Sequence, residues 1–205
     1  MKLYSVLYKL FAPFVRFLFN IHVHGEENIP KEGGLLICPN HISNCDVVIL
    51  GAATRTRQIR FMAKSELFRI PLLKQLISAL GAFPVKRGEG DVTAVKKTIK
   101  LLKENQTVGM FPQGKRYVGQ DPAQTEIKHG AGLVAFRAGV AVLPAAIKTK
   151  NYRIVPFRRV DVIFGKPILF DEFNFTSGNR NEFISASEKI FDSVKALLKE
   201  DIKNS

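Results

Sequence analysis

One histidine in this chain stands where it can serve as a base. The segment Pro39-Asn40-His41-Ile42-Ser43-Asn44-Cys45-Asp46 follows a short apolar run and opens a second one, Val47 to Ala53. Ser43 followed three residues later by Asp46 resembles a capping box, which would start a helix at Asn44. His41 then falls just outside the helix and Asp46 in its first turn. On a continuous helix, residues five apart face different sides, but a strand-to-helix bend can bring them together. Asp46 would then accept the proton of one imidazole nitrogen and leave the other free as a base. Such a base can act directly on a substrate hydroxyl, with no serine nucleophile. The same spacing also fits a plain polar cap with an incidental histidine.

Two cationic motifs bear on that choice. Gly81-Ala82-Phe83-Pro84-Val85-Lys86-Arg87-Gly88 ends a short apolar segment on two cations, and Phe111-Pro112-Gln113-Gly114-Lys115-Arg116 does the same after another. A planar guanidinium can give phosphate two parallel charge-assisted hydrogen bonds. A single Lys-Arg pair is usually a solvated surface, but two at strand ends can converge on one phosphate. The whole composition leans the same way: 31 Lys and Arg against 18 Asp and Glu give a net charge of +13, which favours an anionic partner.

These groups need a frame. At 205 residues, with 46% hydrophobic and 24% charged residues, the chain suits one domain with a sizeable core. Short apolar runs at Leu35–Cys38, Ile59–Met62, Thr107–Phe111, Ala141–Ile147 and Asp161–Phe164 read as strands covered on both faces. Val92, Val95, Ile99 and Leu102 keep helical spacing behind Asp91 as N-cap, and Phe183 to Leu198 marks a C-terminal helix. Ile70–Leu80 and Ala131–Ala138 complete the helices. The alternation predicts an α/β sandwich around a mostly parallel sheet, with ligands at the C-terminal ends of the strands. Residues 1–20 are expected to form an amphipathic helix lying in a membrane interface, Phe and Leu inward and cations toward headgroups, ahead of the domain at 21–205; an ordinary core helix is the alternative. Arg16 within the apolar stretch argues against a spanning helix. Two cysteines make no disulfide framework.

Rival chemistries fit poorly. Gly109-x4-Gly114-Lys115 nearly matches a phosphate-binding P-loop, but Arg116 replaces the Ser or Thr that holds Mg²⁺, and Pro112 removes a backbone N–H. Cys38, His41 and Cys45 fit no common zinc spacing. A nucleic-acid module has the charge in its favour, but no aromatic residues are interleaved with the cations. The cluster Arg55, Arg57, Arg60 and Lys64 is either a solvated face or a contact for anionic lipid, and Lys128-His129-Gly130 reads as a loop-to-helix anion site.

Taken in order, the motifs from about Val23 to Pro167 resemble the glycerophospholipid acyltransferase family, and within it the bacterial-type 1-acylglycerol-3-phosphate acyltransferases. NHISNCD is similar to the family's NH-x4-D block, which implies the base role for His41 and the orienting role for Asp46. GAFPVKR is similar to the second block and implies acceptor-phosphate binding by Arg87. FPQGKR is similar to the third, FPEGTR, and implies acceptor binding by Gln113, Gly114, Lys115 and Arg116. Here Gln113 stands in place of Glu and Lys115 in place of Thr. Leu143-Pro144-Ala145 is similar to the fourth, on the acyl-donor side. The resemblance implies transfer of a fatty acyl chain from acyl-CoA or an acyl-carrier protein to a lysophospholipid acceptor, at the cytoplasmic face of a membrane. It implies neither a metal nor a resident cofactor, and no nucleic-acid partner. Backbone N–H groups after Ser43 are expected to hold the oxyanion. Lysophosphatidate, glycerol 3-phosphate and other lysolipids all stay open as acceptors.

Overall fold

The computed structural model describes residues 2–85 and 92–201, with side chains from residue 8 onward. The chain runs α1 (Lys2–Leu18), β1 (Ile21–His24), β2 (Leu35–Pro39), α2 (Asp46–Ala53), β3 (Ile59–Lys64), α3 (Pro71–Ala79), β4 (Phe83–Val85), α4 (Val92–Lys103), β5 (Thr107–Gly109), α5 (Gly130–Ala138), β6 (Ala141–Thr149), β7 (Val160–Phe164) and α6 (Arg180–Lys199). The strands form one seven-stranded sheet in the order β1-β7-β6-β2-β5-β3-β4. Every pairing is parallel except β6 with β7, so the predicted α/β sandwich is the observed one.

Alternation along β2 divides the core. Leu35 and Ile37 join Ile49, Leu50 and Ala53 of α2 and Phe19 after α1 on one face. Leu36 and Cys38 join Leu102, Val134, Ala135 and Ile190 of α4, α5 and α6 on the other. All five β2 residues are buried, as a strand covered on both faces requires. Burial also pushes the Cys38 thiol up, as expected of an inert core cysteine.

Two short strands lie outside the five apolar runs read as strands above. β4 is three residues long with a proline at its centre, and in β1 two histidines break the apolar run. On β1, His24 Nε2 lies 2.9 Å from Asp161 on β7. Asp91, expected as the N-cap of α4, lies outside the described residues.

The first helix is bound into the domain rather than set apart from it. Ala12, Val15 and Phe19 recur at helical spacing and pack inward. Arg16 turns away from any headgroup position and donates from Nε to the Ala52 carbonyl at 2.8 Å and from Nη2 to the Ala53 carbonyl at 3.1 Å. Tyr8 donates to the Ala52 carbonyl as well. The reason lies in α2, an eight-residue helix too short to stand alone and apolar throughout its last turn. Its last carbonyls have no helical donor, and α1 supplies them. The basic cluster expected at residues 55–64 disperses similarly. Arg57 donates to the carbonyls of Pro30, Glu32, Gly33 and Asn105, knitting two loops together at the N-terminal end of β2.

Because α2 carries Asp46, its anchorage reaches the site. Arg16→Met keeps the aliphatic stem and removes the donors. It is expected to lower unfolding stability by about 1.5–3 kcal/mol, the range for hydrogen bonds from a charged group, measured by urea unfolding.

Candidate active site

His41 sits two residues past the C-terminal end of β2, with 8% of its surface exposed. Its Nδ1 lies 2.7 Å from Asp46 Oδ2. A carboxylate accepts only, so in the neutral ring the proton sits on Nδ1 and Nε2 is left as the base. Nε2 has no hydrogen-bond partner among the described residues. The same Asp46 oxygen accepts from the backbone N–H of Ile42 and of Ser43, both at 2.8 Å. Asp46 is fully buried, and its other oxygen, Oδ1, has no hydrogen-bond partner among the described residues. A carboxylate held in this way gains most when positive charge develops on the imidazole beside it.

The helix begins at Asp46 rather than Asn44, with Asn44 and Cys45 forming a turn before it. Ser43 Oγ accepts from Cys45 N at 3.1 Å and Asp46 reaches back to Ser43 N, but no side chain caps the first turn, so the expected capping box is not closed. The loop geometry bears on the expected oxyanion donors: of the N–H groups after Ser43, that of Cys45 is already committed to Ser43 Oγ. It also changes what an amide at position 46 would do. Two backbone donors would still demand an oxygen at the Oδ2 position, and that oxygen would still accept from Nδ1. Asp46→Asn therefore removes charge rather than the tautomer.

Three further contacts, none of them read from the sequence, hold His41 in place. Asn40 is fully buried, and its side chain pairs with both backbone groups of Ile147 on β6, donating at 3.0 Å and accepting at 2.7 Å. The amide thus continues the β2–β6 ladder where the main chain turns off toward His41. Phe111 stacks on the imidazole with centroids 3.8 Å apart and planes 17° apart, covering one ring face. Phe61 lies behind Phe111, and Gly109 makes room for it: a Cβ at Gly109 would fall 2.1 Å from the Phe61 ring.

The third contact comes from Gln113, which is not a group facing a ligand. It is 1% exposed; its Oε1 accepts from His41 N at 2.6 Å and its Nε2 donates to Thr125 Oγ1 at 2.6 Å. Thr125 donates onward to the Pro122 carbonyl. The acceptor-binding role that the resemblance implies for Gln113 therefore gives way to a role in holding the His41 backbone.

The other expected residues divide. Gly114 turns the chain at φ 67° and its N–H closes the turn onto Phe111. Arg116 is exposed and donates to Asn44, so it stands over the loop that carries His41. Lys115 is exposed and lies 4.9 Å above the Tyr117 ring, while Tyr117 N donates to the His41 carbonyl. Lys128 lies beside Gly114, and His129 stands at the N-cap of α5 without a side-chain cap bond. Arg87 and Lys86 lie outside the described residues, so of the two cation pairs only Lys115 and Arg116 are described. Leu143, Pro144 and Ala145 are buried within β6. No group of three or more His, Cys, Asp or Glu suited to a metal occurs among the described residues.

A free imidazole nitrogen, fixed by a buried carboxylate at the strand ends of an α/β sandwich and flanked by cations, suits direct transfer of a group to a hydroxyl. The chain belongs to the acyltransferase family: the family model described as Acyltransferase matches residues 20–148. It is 33% identical over 150 residues to the 1-acyl-sn-glycerol-3-phosphate acyltransferase of Bacillus subtilis, covering 72% of this chain and 73% of that one. It is 34% identical over 156 residues to the enzyme of the same name from Streptococcus pneumoniae, covering 73% and 56%. The crystal structure of the 1-acyl-sn-glycerophosphate (LPA) acyltransferase PlsC from Thermotoga maritima superposes with a TM-score of 0.71 at 25% identity, covering 98% of this chain and 81% of that one.

Gln113→Leu leaves the His41 N–H buried and unpaired, a loss of about 1–3 kcal/mol. Its midpoint in urea is expected to fall, and kcat to fall at least about tenfold as His41 loses its position. Gln113→Glu keeps an oxygen toward His41 N, and Thr125 can turn its hydroxyl to donate to the second oxygen. That variant is expected to stay within about threefold of wild-type kcat.

Proposed function

We propose that this acyltransferase moves a fatty acyl chain from a thioester, acyl-CoA or acyl-carrier protein, to the free hydroxyl of 1-acylglycerol 3-phosphate, forming phosphatidate. The observation that carries the reading is the 2.7 Å contact between His41 and Asp46, which leaves Nε2 unpartnered at the strand ends. The names of the relatives support the acceptor, and Lys115 and Arg116 beside the His41 loop suit its phosphate.

In the proposed step, His41 Nε2 takes the acceptor hydroxyl proton as the oxygen attacks the thioester carbonyl. The Asp46 carboxylate stabilises the imidazolium. The tetrahedral intermediate collapses, the C–S bond breaks, and the proton on His41 passes to the departing thiolate. The products are the ester and the free thiol. A positioned base contributes roughly 10²–10⁴-fold, so alignment of the two substrates supplies much of the rest. Beyond Phe111 and Phe61, an apolar cleft lined by Phe11, Val15, Val47, Val48 and Leu80 runs between α1 and α2, and it suits an acyl chain.

The acceptor is amphiphilic, and one side of the protein is prepared for a bilayer. On α1, Leu10, Phe14 and Phe17 lie 68%, 61% and 73% exposed at helical spacing, opposite the face that packs inward. No helix among the described residues is long and apolar enough to cross a membrane. This outer stripe is the proposed membrane contact.

The deciding experiment is a transfer assay on lipid vesicles, crossing both thioester donors with lysophosphatidate, glycerol 3-phosphate and lysophosphatidylcholine. Transfer to lysophosphatidate is expected to dominate, and a strong preference for another acceptor refutes the assignment. His41→Ala is expected to fall to near background with an unchanged unfolding midpoint. Asp46→Asn is expected to lose about 10²-fold or more in kcat by removing the charge that meets the imidazolium. Arg116→Ala is expected to raise KM for lysophosphatidate more than for the thioester, and equal effects on both would assign it a structural role.

A further inference from the structure

We infer that residues 153–158, together with the outer stripe of α1, form an insertion face for a bilayer rich in anionic lipid. The inference rests on the membrane contact proposed for α1 and extends it to a second element, far away in sequence.

Six non-glycine residues among those described have positive φ; four are asparagines, and the other two, Tyr152 and Phe157, both lie in the β6–β7 connection. A bulky aromatic residue in this region is a strained outlier. Phe157, at φ 63°, is held there by its N–H, which donates to the Leu18 carbonyl at 2.6 Å. The strain does not bury the ring. Phe157 is 66% exposed, beside Val155 at 37%, and its only ring neighbour among the described residues is Phe17, edge-on at 6.0 Å and itself 73% exposed. The loop therefore prolongs the apolar stripe of α1 instead of filling the core.

Its surroundings select the partner. Lys150, Arg153 and Arg158 are exposed, and none of them is ion-paired among the described residues. Of the nearby carboxylates, Asp161 is engaged by Arg159 and His24, whose hydrogen bonds hold it below the usual range against its burial, and Asp121 accepts from Ala123 N and the Tyr152 hydroxyl. Exposed aromatic rings on a segment whose exposed cations have no ion pair among the described residues complement a surface that is apolar beneath and anionic at its headgroups. An acidic protein would answer the cations but leave two phenyl rings without a task. The position also serves the chemistry. The Tyr152 carbonyl accepts from Gly119 N, and two residues earlier Tyr117 N donates to the His41 carbonyl. Docking this face would thus bring the acceptor's own environment to the rim that carries His41.

The test is cosedimentation of the full chain with phosphatidylglycerol-containing and pure phosphatidylcholine vesicles, alongside thermal unfolding. Phe157→Gly relieves the backbone while removing the ring. It is expected to unfold at the same or a higher temperature and to bind anionic vesicles about tenfold more weakly. Arg158→Ala is expected to weaken binding about fivefold on anionic vesicles and not on phosphatidylcholine. Phe14→Ser on α1 is the control. If Phe14→Ser loses binding while Phe157→Gly keeps it, the loop inference fails and the α1 contact stands. If the unaltered chain binds no vesicles, the α1 contact fails too. A lower unfolding temperature for Phe157→Gly would make the ring structural. Loss of transfer from acyl-carrier protein in Arg158→Ala, with vesicle binding intact, would assign the cations to an acidic protein.

Discussion

One oxygen atom, Asp46 Oδ2, organises the working part of this molecule. It accepts from the His41 ring and from two consecutive backbone N–H groups. A single acceptor serving three donors fixes the bend from β2 into α2 and the rotation of the imidazole together. The geometry of the base is therefore inseparable from the fold of its loop, and the loop has no cheap alternative conformation. Breaking any one of the three bonds would leave a buried polar group without a partner.

Much of the remaining structure keeps that oxygen where it is. Asp46 lies at the start of a helix that cannot stabilise itself, so Arg16 and Tyr8 on α1 close its far end. The bend is pinned on one side by Asn40 to β6 and on the other by Gln113 to the segment around Thr125. Phe111 then covers a face of the imidazole. The first helix consequently has two roles on opposite faces: inward it completes α2, and outward it offers an unpartnered apolar stripe. Deleting it would confound folding with membrane contact, whereas point changes on the outer stripe separate them.

The frame was legible in the sequence because its cause is local. Continuous apolar runs such as Leu35–Cys38 and the 3.6-residue spacing of Val92 to Leu102 can satisfy their backbones in few other ways. The pair His41 and Asp46 was legible too, because a strand-to-helix bend brings together residues that a continuous helix would separate. Direction and distant pairing were not legible. FPQGKR shows Gln113 and Arg116 three positions apart, yet the turn at Gly114 sends one into the interior and leaves the other on the surface. Asn40 meets Ile147 across 107 residues, and Arg16 meets Ala52 across 36; no periodicity marks either contact. Arg16 in an apolar stretch looked like a headgroup cation because the carbonyls that need it belong to another helix.

The claim that a carboxylate-held imidazole presents a bare Nε2 to the acceptor hydroxyl can be tested on the ring itself. Nitrogen-15 NMR of the neutral His41 ring, in protein labelled at histidine, distinguishes a protonated ring nitrogen from a bare one. The expected result is a proton on Nδ1 and a bare Nε2. A proton on Nε2 would leave no base directed at the acceptor and would contradict the account.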